Sequence, residues 1–269
     1  MPDRMADPTV EASPTRLPGC TDAGTGGPAL LYVPGWCGDR SVFDGLLERA
    51  SVHRHAVSVD LPGHGDSPDP GDYGTAFVVD TLVAEMARTG ITRVVPVAMS
   101  HAGWAAVELR RRLGPDLVPG VVLLDWMVLG TPPGFEDALA ALQGPDWAQV
   151  NARLREMWTA GLDLPDLQRY VDAMGDYGRL HWARAGREIA AAFAESPVPL
   201  DAIEALQPFP TLHLYAQPAD DAALTAQQEY AAQRPWFSVE RLDARSHVPM
   251  FEVPDVMADR IETFVAGLR

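Results

Sequence analysis

Six residues, Met99-Ser-His-Ala-Gly-Trp104, constrain this chain more than any other stretch. They follow a short apolar run, Val94 to Ala98, and open a segment with helical spacing. A strand that ends in small-x-Ser-x-small and turns at once into a helix holds its serine in a strained, positive-φ turn. Ala98 and Ala102 are small enough for strand and helix to crowd past that turn. The Ser100 side chain is thereby lifted above the sheet, and the N–H of His101 faces the place where an oxyanion would form. Ala102 stands where glycine is commoner, and in isolation the motif also fits a serine capping a helix.

Other segments favour the turn. Ala29 to Val33 has the composition of a buried strand, and Pro34-Gly35-Trp36 follows it where a second oxyanion donor belongs. Ala56 to Asp60 is another strand, running into Leu61-Pro-Gly-His-Gly-Asp-Ser67. His64 in that turn is expected to be satisfied by local hydrogen bonds rather than to act in catalysis. Val121 to Leu124 ends in Asp125, Thr211 to Ala216 is followed by Asp220 and Asp221, and Phe237 to Leu242 precedes Ser246-His247-Val248-Pro249. Helical spacing fills the gaps over Thr75 to Thr89, Ala102 to Leu113, Leu224 to Arg234 and Asp255 to Leu268. The alternation predicts an α/β-hydrolase fold, a mostly parallel central sheet flanked by helices. The chain order Ser100, then an Asp, then His247 is the order of that fold.

One stretch breaks the rhythm. About 85 residues separate Asp125 from Thr211, where an ordinary connection takes ~2–6. Helical spacing over Asp146 to Ala160, Leu164 to Met174 and Tyr177 to Ala194 is punctuated by Pro132-Pro133, Gly144-Pro145 and Pro197-Val-Pro199. The expected organisation is a core of residues 1–130 and 207–269 with a helical cap, residues 131–206, over the active site. Its aromatic residues, among them Trp147, Trp158, Tyr170, Tyr177 and Trp182, pack cap helices together, with a few left to line a flat apolar pocket.

The 269 residues suit one α/β domain with an insertion. A net charge of −16 argues against nucleic acid as a partner. All 21 basic residues are Arg, which rules out Schiff-base chemistry on a lysine. Met1 to Val10 has no apolar core of a signal peptide, and no run approaches the ~20 apolar residues of a membrane span. Cys20 and Cys37 fit two reduced thiols, so a cytoplasmic chain is expected, a monomer or small homo-oligomer. No dinucleotide fingerprint, phosphate loop, CxxC or HExxH is present, so neither cofactor nor metal is expected.

His247, in the loop after the last strand, is the candidate base for Ser100. Its acid partner is Asp125 or one of Asp220 and Asp221, and spacing alone does not choose. On these residues the chemistry is that of a serine hydrolase of a small ester, amide or C–C bond. Ser100 would attack, His247 would act as base, and the N–H groups of His101 and Trp36 would hold the oxyanion.

The chain also resembles the cofactor-independent 2,4-dioxygenases of 3-hydroxy-4(1H)-quinolones, which share this fold. The resemblance is carried by Leu31-Tyr-Val-Pro-Gly-Trp-Cys37, Met99-Ser-His-Ala-Gly-Trp104, Leu124-Asp-Trp126, Met174-Gly-Asp-Tyr-Gly178, Gly186-Arg-Glu-Ile189, Pro235-Trp-Phe-Ser238 and Ser246-His247. It covers nearly everything after the first ~25 residues. It implies His247 as base, Asp125 as its acid partner, Ser100 as a substrate-positioning hydroxyl, and Trp36, His101 and Trp158 as substrate-binding residues. The implied substrates are a small aromatic N-heterocycle and O₂, with no cofactor. The implied products are carbon monoxide and an N-acylanthranilate. Catabolism and quenching of a quinolone signal would use the same chain. Gly38 departs from the family, which carries His there, and this implies the loss of one substrate hydrogen bond and a wider pocket.

Overall fold

The structure, a computed structural model, describes residues 15–17 and 19–268. The expectation that Met1 to Val10 is no signal peptide lies outside the described residues. Among the described residues no helix is long and apolar enough to cross a membrane.

Among the described residues eight strands form one sheet in the order β1-β2-β4-β3-β5-β6-β7-β8. They are β1 Thr15–Leu17, β2 Cys20–Ala23, β3 Ala29–Val33, β4 Ala56–Val59, β5 Val94–Met99, β6 Val121–Leu124, β7 Thr211–Tyr215 and β8 Phe237–Arg241. β1, β2 and β4 pair antiparallel and the remaining neighbours are parallel. Strands β3 to β7 are buried at every residue, which explains their unbroken apolar runs in place of alternation. The antiparallel β1–β2 edge was not expected from the sequence. β1 is three residues long, too short for a periodic signal.

Helices α1 (Asp44–Ser51) and α10 (Pro254–Ala266) cover one face of the sheet, and α2 (Thr75–Arg88) and α3 (Ala102–Leu117) the other. α9 (Asp221–Ala232) lies beside β8. The expected helix end at Leu113 corresponds to a kink in α3, where Gly114 (φ 77°) and Pro115 interrupt the helical backbone. Between β6 and β7 lie α4 (Phe135–Gln143), α5 (Trp147–Thr159), α6 (Pro165–Met174), α7 (Arg179–Glu195) and α8 (Pro199–Ala205). The three long helices α5 to α7 follow the sequence reading closely. α4 and α8 were missed because the prolines before them read as loop punctuation, although Pro199 occupies the first turn of α8.

The parallel strands point their carboxyl ends at one edge, where this type of sheet places its ligands. The loop after β3 is fixed there by Arg40. Its backbone N–H donates to Asp60 Oδ1 at 2.8 Å, and its buried guanidinium pairs with Asp60 and, at 2.6 Å, with Asp66. Trp126, after β6, packs on the first turn of α3, 5.0 Å from the Trp104 ring and edge-on to it. A Cβ at Gly103 would collide with the Trp126 ring. Gly103→Val is therefore expected to lower stability by about 1–3 kcal/mol, read from the urea midpoint.

Candidate active site

Ser100 has φ 53°, its N–H donates to Leu124 O at 2.7 Å, and its carbonyl accepts from Gly103 N at 2.9 Å. The loop after β3 runs against it: a Cβ on Gly35 would stand 3.5 Å from the Ser100 Cβ. Cys37 in that loop has φ 61°. Its N–H donates to His64 Nε2 at 3.1 Å, and His64 Nδ1 donates to Pro62 O at 2.9 Å. His64 is thus the hydrogen-bonded turn residue expected from sequence, and it also reaches across to pin the neighbouring loop. Burial holds its pKa down to about 4, so it stays neutral and keeps its acceptor. Among the described residues the N–H groups of Trp36 and His101 have no protein acceptor. Two backbone donors are left unclaimed beside Ser100, as an oxyanion site requires.

Asp125 also has positive φ, 47°, and is 3% exposed. Its Oδ1 accepts the N–H groups of Ala216 (3.3 Å) and Gln217 (2.9 Å), at the end of β7. Its Oδ2 faces His247 Nδ1 at 3.4 Å. Burial raises the Asp125 pKa, while His247 and the two amides oppose that rise. With Nδ1 turned to the carboxylate, Nε2 is the ring nitrogen left to face another group. Trp158 of α5 stacks on the His247 ring, with centroids 5.2 Å apart and planes 27° from parallel. The His247 loop is braced by Glu252, which accepts from Ser246 N at 2.6 Å, and by the Ser246 hydroxyl, which accepts from Val248 N at 3.0 Å. Of the acids left open by spacing, Asp220 instead caps α9 by accepting from Ala223 N at 2.8 Å. Asp221 pairs with Arg241 at 2.9 Å.

The structure gathers Asp125, His247 and Trp158 into one cluster and places Trp36 and His101 in a second. The Trp36 ring stacks on Tyr73 at 5.5 Å, with the His64 ring edge-on at 5.8 Å and His101 at 6.3 Å. His101 is buried, and neither ring nitrogen has a hydrogen-bond partner. Its neighbours Trp36, Leu61, Thr75 and Val78 surround a small cavity, and burial pushes its pKa down to about 3. The wider pocket expected at Gly38 is not found. A side chain there would collide with the Tyr170 hydroxyl, so α6 already fills the space that a larger residue would need.

Sequence reasoning missed His213. It lies fully buried in β7, donating from Nδ1 to Gln227 Oε1 at 2.7 Å and accepting at Nε2 from Trp126 N at 3.3 Å. The available signal was a lone histidine inside the apolar run Thr211–Tyr215. Among the described residues no group of three or more His, Cys, Asp or Glu side chains is placed to hold a metal ion.

A serine elbow, a histidine after the last strand and a buried acid at the carboxyl edge of a parallel sheet define an α/β-hydrolase scaffold. Residues 30–260 match the family model described as "Alpha/beta hydrolase family". The chain is 32% identical over 248 residues to a 2-heptyl-3-hydroxy-4-quinolone dioxygenase of Rhodococcus erythropolis, covering 89% of each protein. It is 29% identical over 242 residues to the 1H-3-hydroxy-4-oxoquinoline 2,4-dioxygenase of Pseudomonas putida, covering 88% of this chain and 91% of that one. A solved structure described for recognition and ring cleavage of the Pseudomonas quinolone signal superposes with a TM-score of 0.86. It shares 32% identity and covers 92% of this chain and 95% of its own. The chain belongs to the α/β hydrolase family and, within it, to the 3-hydroxy-4-quinolone 2,4-dioxygenases.

The buried histidines set a pH dependence of stability. His64 and His213 are held down to about 4 and His101 to about 3, all from an ordinary 6.5. Between pH 6.5 and 4 the unfolded chain binds the extra protons, so stability falls as the pH falls. The loss is about 2 kcal/mol per histidine between pH 6.5 and 5. The raised Asp125 pKa acts in the opposite sense and offsets part of this loss. Urea unfolding at pH 7 and pH 5 should show a clearly lower midpoint at pH 5. An unchanged midpoint would mean that these imidazoles are not held neutral.

Proposed function

We propose that this chain cleaves the ring of a 2-alkyl-3-hydroxy-4(1H)-quinolone with O₂, using no cofactor, and that His247, Asp125 and Ser100 carry the reaction. The single observation that carries this reading is a buried carboxylate backing an imidazole under a tryptophan face, in a chain similar over nearly its whole length to quinolone dioxygenases.

His247 Nε2 takes the proton of the substrate 3-hydroxyl, and Asp125 stabilises the imidazolium that results. The organic anion is electron-rich enough to react with O₂ directly. Oxygen adds at C2 and the peroxide closes onto C4. Cleavage of the O–O bond together with the C2–C3 and C3–C4 bonds then releases C3 as carbon monoxide and leaves one oxygen on each of C2 and C4, an N-acylanthranilate. Ser100 is not acylated; its hydroxyl positions the organic substrate. The amides of Trp36 and His101 face the negative charge that develops on substrate oxygen. Trp158 supplies an apolar wall over the base, and the Trp36 and His101 rings complete the binding site from the other cluster. In this reading residues 131–206 form the cap that keeps water from the anion. Two buried free thiols suit a reducing, cytoplasmic setting.

The serine-hydrolase alternative is supported by the elbow and its unclaimed amides. The two readings separate by experiment. Metal-free protein given 2-methyl- or 2-heptyl-3-hydroxy-4(1H)-quinolone is expected to consume O₂ and release carbon monoxide, with no loss of rate in chelator. His247→Ala should lower kcat by ~10²–10⁴, the usual contribution of a general base, and Asp125→Ala should follow in the same direction. Ser100→Ala should retain activity within about tenfold of wild type, because no acyl-enzyme forms. A hydrolase would lose as much with Ser100→Ala as with the histidine, since its triad acts as a unit. Absence of O₂ uptake alongside turnover of an aryl ester would reject the dioxygenase reading.

A further inference from the structure

Asp125 works only if its carboxylate stays aimed at His247, and its backbone is in a conformation that L-residues resist. The regular ladder ends just before it. Asp125 N–H donates to Leu214 O at 2.9 Å, the last rung between β6 and β7, and the chain then leaves the sheet. The next donor, Trp126 N–H, has no strand to pair with. His213 takes it on Nε2, while Nδ1–H is committed to Gln227 of α9. The ring is further held flat against Tyr215, with centroids 5.1 Å apart and planes 10° from parallel.

We propose that His213, with its tautomer set by Gln227, is a positioning residue for the catalytic acid. It clamps the peptide that follows Asp125 and so keeps the carboxylate directed at His247. The group required at this place is a buried acceptor on a rigid stem. A neutral imidazole provides one only while its other nitrogen carries the proton. Gln227 Oε1 secures that arrangement; without it, the alternative tautomer would set an N–H against the Trp126 N–H. β7 therefore grips Asp125 twice, through His213 on the backbone and through the Ala216 and Gln217 amides on the carboxylate. His64 makes the same kind of bond to Cys37 N–H in the loop after β3, so the device occurs on both sides of Ser100.

The inference rests on the dioxygenase reading, and its test keeps the two apart. His213→Leu removes the acceptor, His213→Gln keeps one at similar reach, and Gln227→Leu leaves the ring but frees its tautomer. The measurements are kcat and KM for 2-heptyl-3-hydroxy-4(1H)-quinolone, and the pH midpoint of the His247 imidazole by NMR without substrate. The other charged groups near His247, namely Asp125 at the end of β6 and Arg245 and Glu252 on its own loop, are the same in every variant. Misdirection of a catalytic group by about 1 Å costs up to about 100-fold. His213→Leu is therefore expected to lower kcat by about 10–100-fold, change KM by less than about 3-fold, and lower the His247 midpoint as its carboxylate turns away. His213→Gln should recover a large part of both losses, and Gln227→Leu should fall between it and wild type. A folded His213→Leu with wild-type kcat and midpoint overturns the proposal, as does a His213→Gln no better than Leu. If His213→Leu does not fold, Gln227→Leu decides alone: a reduced kcat or shifted midpoint supports the clamp, and wild-type values overturn it. If wild-type protein consumes no O₂ with the quinolone, the functional reading fails, and the NMR midpoint still decides the clamp.

Discussion

Three neighbouring parallel strands, β3, β5 and β6, each run into a non-glycine residue with positive φ: Cys37, Ser100 and Asp125. Each such residue costs about 1–3 kcal/mol and persists only where its surroundings overdetermine it. The site depends on that constraint, because the same turns bring the elbow hydroxyl, the loop amides and the acid to one edge. The strain at Ser100 is offset by the Leu124 carbonyl and the first turn of α3. At Cys37 a buried imidazole, His64, accepts the residue's own amide proton, and at Asp125 the residue's N–H goes to the Leu214 carbonyl while His213 accepts from the next amide, Trp126 N–H. These polar groups therefore stand at the ends of central strands, β3 to β7, that are buried at every residue.

The same scaffold serves hydrolysis and oxygenation, which is why the fold does not choose between them. What differs is the task given to the imidazole. In a hydrolase it accepts a proton from the elbow serine, whereas in the proposed reaction it accepts one from the substrate itself. Among the described residues no hydrogen bond joins Ser100 to His247. The His247 ring instead faces Asp125 Oδ2, 3.4 Å from Nδ1, and stacks on Trp158.

Much of this was legible in the sequence. The buried strands β3 to β7 announced themselves as short apolar runs bounded by turn residues, and Val121–Leu124 and Ala29–Val33 were placed to the residue. Ser100 and His247 were legible because their positions follow from where strands end. Spacing left the acid open, because Asp125 and Asp220 both stand just past a strand; the family resemblance pointed to Asp125, and three-dimensional contact separates it from Asp220, a helix cap. His213 escaped notice because a histidine in the middle of an apolar strand has no periodic signature. Its role comes from Trp126 and Gln227, 87 and 14 residues away along the chain. The filling of the space at Gly38 by Tyr170 was hidden for the same reason, since a missing side chain says nothing about what takes its room.

The stacking of Trp158 on His247 limits how a substrate can approach. One face of the imidazole is shut by the indole, and Nδ1 faces the Asp125 carboxylate. A 5.2 Å gap admits no planar ring between the two. A hydroxyl must therefore come in along the rim of the imidazole, in its plane, where the Nε2 lone pair points. In the proposed reaction this sets the heterocycle edge-on to His247, with the bond to be broken held in the plane of the imidazole.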